Sequence, residues 1–379
     1  MNIQNAPIDL NLHDLVRIRL EGAAPADIAA VRRQMGLPAA PVQEDAPADI
    51  TIRFVGELPT PGLRYLGVED AAFTDEAFFV LRGKGKRSVK VQIPFASIGD
   101  RPTLLCERGK GPVPLLTAIS NITALANGVL PLHASAFCYR GQGVLVTGWA
   151  KGGKTETLLG FMARGAAYIG DEWVYLRPNG AGYEMLGLPE PIRIWDWHLT
   201  EMPAFRARLS GKQQLRLAAL RPAVALADRA AAHDGAGPFA APAGFLRRAR
   251  PLLRRQHGLN VAPERLFGAS NVTASGSLDK IFFVVSAAAP EVTVEPVDPG
   301  EIAARMLFSL QEELEPLLAT YRQYRFAFPY QPNELIENAA ALQAEILQRA
   351  LVGKEAYTVS HPYPAPIPAM AAAMEPYLR

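Results

Sequence analysis

The chain has 379 residues, of which 49% are hydrophobic, and its formal net charge is +2. This length allows two domains or one elaborated domain with a large core. The near-neutral charge gives no general argument for a nucleic-acid or membrane partner. Two cysteines, Cys106 and Cys138, are too few for a disulfide framework or a thiolate metal site, and we interpret them as small buried residues.

The N-terminal ten residues have neither a basic start nor an apolar run, so we expect no signal peptide. No apolar stretch reaches membrane-spanning length without charges. We therefore expect a cytoplasmic protein with no membrane partner.

The first third of the chain is predicted to form an α+β region. Residues 1–47 have an irregular or helical pattern, with one helix expected from Ala24 to Gln34. Apolar patterning then predicts short strands, at residues 49–55, 78–82, 88–93 and 103–106. The basic segment 83–87 joins the second and third of these strands, and we interpret it as a solvated hairpin tip in preference to a phosphate contact.

A helix and a hairpin follow. Apolar residues at helical spacing predict a helix from Pro114 to Asn127. Two strands, His133–Tyr139 and Gly143–Thr147, flank the turn Arg140–Gln142 and predict an antiparallel hairpin. The second strand runs directly into a glycine-rich segment.

That segment, Gly148–Thr155, fits the pattern G-x-x-x-x-G-K-[ST] of phosphate-binding loops. A buried strand precedes it and an amphipathic helix, residues 156–164, follows it, which is the context the motif requires. Glycines let consecutive N–H groups approach phosphate oxygens, and the helix start adds its positive dipole end. We predict ATP phosphate binding by Gly148, Lys151, Gly152, Gly153, Lys154 and Thr155.

A lysine, a threonine and two acids could supply the chemistry of phosphoryl transfer. Lys154 can reach the outer phosphates and the Thr155 hydroxyl can ligate Mg²⁺. Asp171 and Glu172 follow a short apolar strand, with Asp171 sixteen residues after Thr155. A carboxylate at a strand end beside the phosphate loop can hold the metal or accept the proton of an attacking hydroxyl. We therefore predict Thr155, Asp171 and Glu172 as metal ligands and Asp171 as general base.

Beyond this core, strands are predicted at residues 280–285 and 292–296 and helices at 299–324 and 333–351, with Asn333 as a helix N-cap. A proline-rich stretch, residues 362–368, is expected to be extended.

The segment from Arg206 to Arg255 contains eleven basic residues, opposed only by Asp228 and Asp234. Its middle, residues 230–244, is rich in alanine, glycine and proline and is expected to be mobile. The segment could close over the phosphates, supply a neutralising arginine, dock an acidic substrate or contact nucleic acid. A solvated pair of basic helices is the simplest interpretation.

Several short pieces together resemble the kinase domain of HPr kinase/phosphorylase, a family related to phosphoenolpyruvate carboxykinase. The order and spacing of the pieces fit that family. They are Leu132–Ala136, Gly143–Gly148, Gly153–Thr157, Arg164–Gly165 and Ile169–Glu172. The resemblance covers about residues 130–177.

The resemblance implies a mixed sheet around the phosphate loop, Mg-ATP as donor and transfer to a hydroxyl, typically of serine. It places His133 close to the transferred phosphate, Glu156 in the nucleotide site near the metal, and Asp171 as base. Glu172 stands where HPr kinases have aspartate, and residues 188–198 replace the stretch used for the reverse reaction. An acceptor other than HPr is therefore favoured.

We accordingly predict an α/β fold with a mixed, largely antiparallel sheet around a P-loop and an N-terminal α+β extension. The expected divisions are residues 1–112, a catalytic core of 113–330 with the basic insertion 206–255, and a C-terminal helix and proline-rich tail, 331–379. The predicted function is a Mg-ATP-dependent kinase in which Asp171, His133 and Lys154 are catalytic and the acceptor is a hydroxyl of a protein, peptide or small molecule.

Other functions remain open. An ATP-binding sensor without phosphotransfer would need the loop but no base. A nucleic-acid-binding ATPase rests on the basic segment alone, so nucleic acid is not favoured as a partner. Chemistry like that of phosphoenolpyruvate carboxykinase would need a metal-binding lysine and histidine set that is not visible. The resemblance also suggests a homo-oligomer.

Overall fold

The computed structural model describes residues 6–37, 39–40, 46–59, 61–67, 70–81, 90–180, 182–188, 190–232 and 240–378. The N-terminal part forms a nine-stranded sheet with order β3-β1-β2-β4-β9-β8-β7-β6-β5, in which only β2–β4 and β4–β9 are parallel pairs. Its elements are β1 (Ile8–Leu12), β2 (Val16–Glu21), α1 (Pro25–Met35), β3 (Ala39–Ala40), β4 (Ile50–Val55), β5 (Arg64–Leu66), β6 (Ala71–Phe73), β7 (Phe78–Val80), β8 (Val91–Gln92) and β9 (Thr103–Glu107).

The prediction for residues 1–47 was partly wrong. The expected helix is present as α1, but β1 and β2 form an antiparallel hairpin where an irregular or helical pattern was predicted. In β2 the apolar residues Val16, Ile18 and Leu20 are buried and alternate with less buried charged residues, which is the period of a half-buried strand. The basic tip at residues 83–87 lies outside the described residues.

The rest of the chain contains α2 (Leu116–Ala126), β10 (Leu130–His133), β11 (Ser135–Tyr139), β12 (Gln142–Thr147), α3 (Lys154–Met162), β13 (Ala167–Gly170), β14 (Trp173–Asn179), β15 (Gly182–Gly187), β16 (Ile192–Trp195), α4 (Asp196–Glu201), α5 (Pro203–Arg206), α6 (Gly211–Ala232), α7 (Ala240–Gln256), β17 (Gly258–Val261), α8 (Pro263–Phe267), β18 (Ser275–Ser277), β19 (Lys280–Ser286), β20 (Thr293–Pro296), α9 (Pro299–Ala327), α10 (Glu334–Glu337), α11 (Ala339–Leu351), β21 (Glu355–His361) and α12 (Ile367–Met374).

The rest of the described chain forms two further large sheets and a two-stranded sheet of β16 and β17. One has the order β10-β14-β15-β18 and is antiparallel throughout, and the other has the order β13-β11-β12-β19-β21-β20. In the six-stranded sheet only the β12–β19 and β19–β21 pairs are parallel. The molecule is therefore a mixed α/β protein with largely antiparallel sheets, as predicted at this level.

The chain crosses between these two sheets twice, once from β10 to β11 and once from β13 to β14. A single strand was predicted for residues 133–139, but the strand breaks at Ala134, so β10 and β11 belong to different sheets. The N–H of Ala134 donates to the carbonyl oxygen of Glu172 at 3.2 Å, at the point where β13 gives way to β14. Both sheet changes therefore lie side by side, and the intervening residues face one another.

The six-stranded sheet is covered on both faces, because its buried side chains alternate. Leu145 of β12 and Phe283 of β19 join the core that includes α2, α9 and the N-terminal sheet. Val146 and Val284 join a second core that includes α3 and α12. The helix that follows the glycine loop thus packs on the face opposite α9.

The C-terminal region is more ordered than predicted. The expected helix at 333–351 is split into α10 and α11, and Asn333 caps α10 by accepting a hydrogen bond from the N–H of Ile336 at 3.0 Å. Strand β21 lies between β19 and β20, and α12 follows the proline-rich stretch. The predicted divisions at residues 112 and 330 remain predictions.

In the described part of the chain, none of the helices combines the length and apolar character needed to cross a bilayer.

Strand β15 passes β13 so closely that only glycine fits at Gly187, where a Cβ would overlap the carbonyl group of Ile169. Gly187→Ala should therefore lower the free energy of unfolding by about 1–3 kcal/mol, measured as a shift of the urea midpoint. Gly182→Ala, on the same strand, is the matched control, because the nearest atom to its Cβ is 4.0 Å away. Equal midpoints for the two variants would contradict this packing.

Candidate active site

The glycine-rich loop, residues 148–153, joins the end of β12 to the start of α3, as the sequence predicted. Gly148 and Gly153 have φ values of 150° and 109°, in the region that favours glycine. A Cβ on Gly148 would lie 2.5 Å from the carbonyl oxygen of Val284, and one on Gly153 would lie 2.6 Å from Nε2 of His361. Close packing against Val284 and His361 therefore fixes the loop against the sheet.

Lys154 is buried at the first position of α3. Its Nζ donates to the carbonyl oxygens of Gly148 and Trp149 at 3.1 and 3.0 Å, so the ammonium group lies inside the curve of the loop. Burial lowers the pKa of Lys154, although Glu172 and Asp171 nearby act in the opposite direction. The loop thus encloses a positive charge, which would attract a negatively charged phosphate group.

Asp171 is the central acid of the site and is only 4% exposed. Its carboxylate accepts hydrogen bonds from Ser135 Oγ at 2.8 Å and from Thr155 Oγ1 at 3.0 Å. Burial, with added repulsion from Glu172, raises the pKa of Asp171 to about 7, even though these hydrogen bonds act to lower it. The structure therefore brings together the predicted pair Thr155 and Asp171, and Ser135 completes the contact.

His133 lies between two carboxylates. Its Nε2 is 3.1 Å from Glu172 Oε2, and its Nδ1 is bonded to Glu313 of α9. Burial alone would lower the pKa of His133, but the hydrogen bonds to Glu172 and Glu313 raise it to about 9. The raised pKa favours the imidazolium form of His133 at neutral pH, in which both ring nitrogens donate to these two carboxylates.

Glu172 has a left-handed backbone, with φ of 67°, in the tight turn between β13 and β14. The hydrogen bond from His133 lowers the pKa of Glu172 despite burial. Among the described residues, its carboxylate is bound to His133 and not to Thr155. The predicted metal ligands Thr155 and Asp171 are thus adjacent, whereas Glu172 lies on the His133 side.

Glu156, in the first turn of α3, is held by a histidine that the sequence analysis did not single out. His198 of α4 is 2% exposed, and its Nδ1 accepts from the backbone N–H of Trp195 at 3.3 Å. Its Nε2 therefore carries the proton and donates to Glu156 Oε1 at 3.1 Å. Burial acts to raise the pKa of Glu156, but the bond from His198 leaves it lower than usual.

A second buried histidine supports the loop from below. His361, at the end of β21, has Nε2 2.7 Å from the carbonyl oxygen of Gly152 and Nδ1 2.8 Å from that of Pro362. His361 therefore connects the loop at Gly152 to the segment that follows β21.

The basic segment is engaged mainly with its own surroundings. Arg206 and Arg221 bind Asp196 at 3.2 and 2.9 Å, at the start of the helix that carries His198. Arg193 donates to the carbonyl oxygen of Arg255 at the end of α7. Lys151 is exposed on the outside of the loop. Arg206 and Arg221 of the basic segment thus anchor α4, and Arg193, outside that segment, binds the end of α7.

Three partners of the site were missed by the sequence analysis: Glu313, His198 and His361. Each comes from a distant segment, and Glu313 is 180 residues from His133. Met306 and Glu313 are two helical turns apart on one face of α9, and Met306 contacts Thr147 just before the loop. This contact between distant segments brings Glu313 to the site, and the local sequence does not reveal it.

The donor set near the loop fits a magnesium ion held largely by phosphate. Among the described residues, no three His, Cys, Asp or Glu side chains are grouped to bind a metal by themselves. The adjacent Thr155 hydroxyl and Asp171 carboxylate are hard oxygen donors, and Mg²⁺ commonly takes one or two carboxylates together with substrate phosphates.

No protein-family model matches this chain, and no curated protein matches its sequence. Among solved structures, it is similar to the HPr(Ser) kinase/phosphatase from Coxiella burnetii, with 11% sequence identity and a TM-score of 0.27. The similarity covers 65% of this chain and 95% of that chain. This is a distant structural relationship only.

The Asp171 carboxyl holds its proton more tightly in the folded protein, because its pKa rises from an ordinary 3.8 to about 7. Its contribution to stability is fully present below the ordinary pKa and is lost as pH rises through about 7. Asp171→Asn stays neutral, so its stability relative to wild type should increase across this window, by on the order of 1–3 kcal/mol.

Urea unfolding at a series of pH values measures this difference. Asp100→Asn, at an exposed acid, is the control and should follow the wild-type curve. A stability difference between Asp171→Asn and wild type that does not change with pH would contradict a raised pKa at Asp171.

Proposed function

We propose that this protein is a Mg-ATP-dependent kinase, similar to HPr kinases, that transfers the γ-phosphoryl group to a hydroxyl acceptor. The observation that carries the proposal is the buried Asp171 carboxyl, hydrogen-bonded to Thr155 at the first turn of the helix that follows the glycine-rich loop. A loop that merely binds phosphate does not need a protonatable carboxyl with a pKa of about 7 at this position.

The loop and α3 would bind the nucleotide phosphates. The N–H groups at the start of a helix lack partners within the helix, and its positive end favours an anion. Lys154 supplies the nearest positive charge, and the predicted binding residues Gly148, Gly152 and Gly153 shape the loop around it. Lys151 is exposed at the loop tip, where it can reach an outer phosphate oxygen.

Thr155 and Asp171, with Glu172 as a third candidate, would hold the magnesium ion. When bound, the ion neutralises charge on the phosphates. Glu156 is close to these groups, but its carboxylate is held by His198, so its role would be to orient the first turn of α3.

In this proposal Asp171 accepts the proton of the acceptor hydroxyl. As the acceptor oxygen forms its bond to the γ-phosphorus, the bond from that phosphorus to the β,γ-bridging oxygen breaks and ADP leaves. The hydroxyl proton passes to the ionised Asp171 carboxylate, the form that a cation bound beside it favours. The His133 imidazolium can stabilise negative charge on the transferred group.

The proposal predicts that Asp171→Asn lowers the turnover number by about 10²–10⁴ while leaving ATP affinity within a few-fold of wild type. Turnover is measured as transfer of radiolabelled γ-phosphate to free serine, small alcohols, peptides and proteins of a cell extract. Asp100→Asn should be fully active.

Lys154→Ala provides the complementary variant. It removes the charge enclosed by the loop and should weaken ATP binding itself, whereas Lys110→Ala, at an exposed lysine, should not. Unchanged turnover in Asp171→Asn would remove Asp171 as the base. ATP binding by the wild type without transfer to any acceptor would favour a nucleotide sensor over a kinase.

A further inference from the structure

The helical hairpin formed by α6 and α7 carries a strongly basic surface. Eleven basic residues and two acids lie between residues 206 and 255, although the whole chain has a net charge of only +2. The described acid, Asp228, is bound by Arg250 and Arg254 at 2.7 and 2.9 Å. Positive charge therefore dominates the exposed part of the hairpin.

Helix α7 has an exposed face on which large apolar and cationic side chains lie together. Phe245 and Leu252 are 72% and 59% exposed, and Arg248 and Arg255 are exposed as well. These four positions follow spacings of three, four and three residues, which places them on one side of the helix. Residues 246, 249, 250 and 253, on the other side, are partly buried.

Helix α6 repeats this composition. Leu215 and Leu226 are 71% and 53% exposed and are eleven residues apart, three turns along one face. The exposed side chains of Lys212, Arg216 and Arg229 lie on either side of them. Leu217 and Ala227 are fully buried, so α6 is amphipathic, yet it presents leucines to solvent as well as to the core.

We propose that the α6–α7 hairpin binds the surface of a membrane that contains anionic lipids, with Phe245 and Leu252 inserted among the headgroups and Arg248 and Arg255 paired with lipid phosphates. A helix with arginines beside exposed phenylalanine and leucine matches the boundary between headgroups and acyl chains. Anionic lipid headgroups attract such basic segments.

The expectation of no membrane partner rested on the near-neutral net charge and the lack of an apolar span. Neither observation concerns a local cationic surface. A helix that lies on a bilayer needs no spanning length.

Two other occupants fit the surface less well. Nucleic acid would be bound by the arginines and could stack a base on Phe245, but it would leave the exposed leucines Leu215, Leu226 and Leu252 without an apolar partner. A second copy of this chain packed symmetrically on the same face would bring like charges together, which is unfavourable.

The test is co-sedimentation of the full-length protein with vesicles of phosphatidylcholine alone or of phosphatidylcholine mixed with phosphatidylglycerol. The protein should bind only the anionic vesicles, and added salt should weaken binding. Both the Phe245→Ser/Leu252→Ser and the Arg248→Gln/Arg255→Gln double variants should lose about tenfold or more in affinity.

Matched controls separate this face from general surface properties. Arg33→Gln/Arg349→Gln removes the same amount of charge elsewhere, and Phe326→Ser removes a phenylalanine that is 75% exposed on α9. Both controls should bind anionic vesicles like the wild type, and all hairpin variants should keep the wild-type thermal midpoint.

Several results would overturn the proposal. One is failure of the wild type to bind anionic vesicles, and another is equal loss of binding in the control variants. A third is binding to RNA or DNA that needs the arginines but not Phe245 and Leu252, without vesicle binding. A fourth is concentration-dependent dimerisation that the Phe245→Ser/Leu252→Ser variant abolishes.

Discussion

The candidate site depends on the burial of one carboxyl group, that of Asp171. This group lies where the chain passes from the six-stranded sheet to the four-stranded sheet. Moving an ionised carboxylate out of water is costly unless hydrogen bonds or charges compensate for it. Here the hydroxyls of Ser135 and Thr155 provide two hydrogen bonds, and Lys154 lies nearby. This compensation is incomplete, so the carboxyl is poised between its charged and neutral forms near pH 7.

The backbone arrangement explains why these groups converge. The chain leaves one sheet between β10 and β11 and again between β13 and β14, and the Ala134–Glu172 hydrogen bond joins the two crossings. One crossing carries His133 and Ser135, and the other carries Asp171 and Glu172. The glycine loop begins beside the first crossing, because β12, which leads into it, pairs with β11. Thr155, just after the loop, binds Asp171 at the second crossing.

The charges around the loop favour a complex of the nucleotide with a metal ion over the nucleotide alone. Glu172 and Glu313 hold the cationic His133, and Glu156 is paired with His198. The pKa of Glu190 is also raised to about 7, because this residue is partly buried and is repelled by the charges of Glu172 and Asp171. A site this rich in acids would repel a bare polyphosphate, so the proposed donor is the magnesium complex.

Local patterns made part of this site predictable. The strand, loop and helix around Gly148–Thr155 were all predicted, and so was the approach of Asp171 to Thr155, because the intervening segment is a single strand–helix–strand unit. The break at Ala134 was not predicted, since residues 130–139 are mostly apolar and contain no turn signal.

The supporting partners could not be predicted from sequence. Glu313, His198 and His361 reach the site only through the packing of α9, α4 and β21, and nothing in their local sequence marks them. The alternation in residues 16–21 was readable as a strand, but the nine-stranded sheet it joins depends on pairings with distant segments.

The most direct test of this account is NMR titration of the Asp171 side-chain carboxyl carbon in protein labelled with ¹³C-aspartate, assigned by comparison with Asp171→Asn. The account predicts a pKa of about 7 in the protein alone and a clear decrease when Mg-ATP is added, because a cation beside the carboxylate favours its charged form. A pKa close to the ordinary 3.8 in the protein alone, or no change with Mg-ATP, would contradict it.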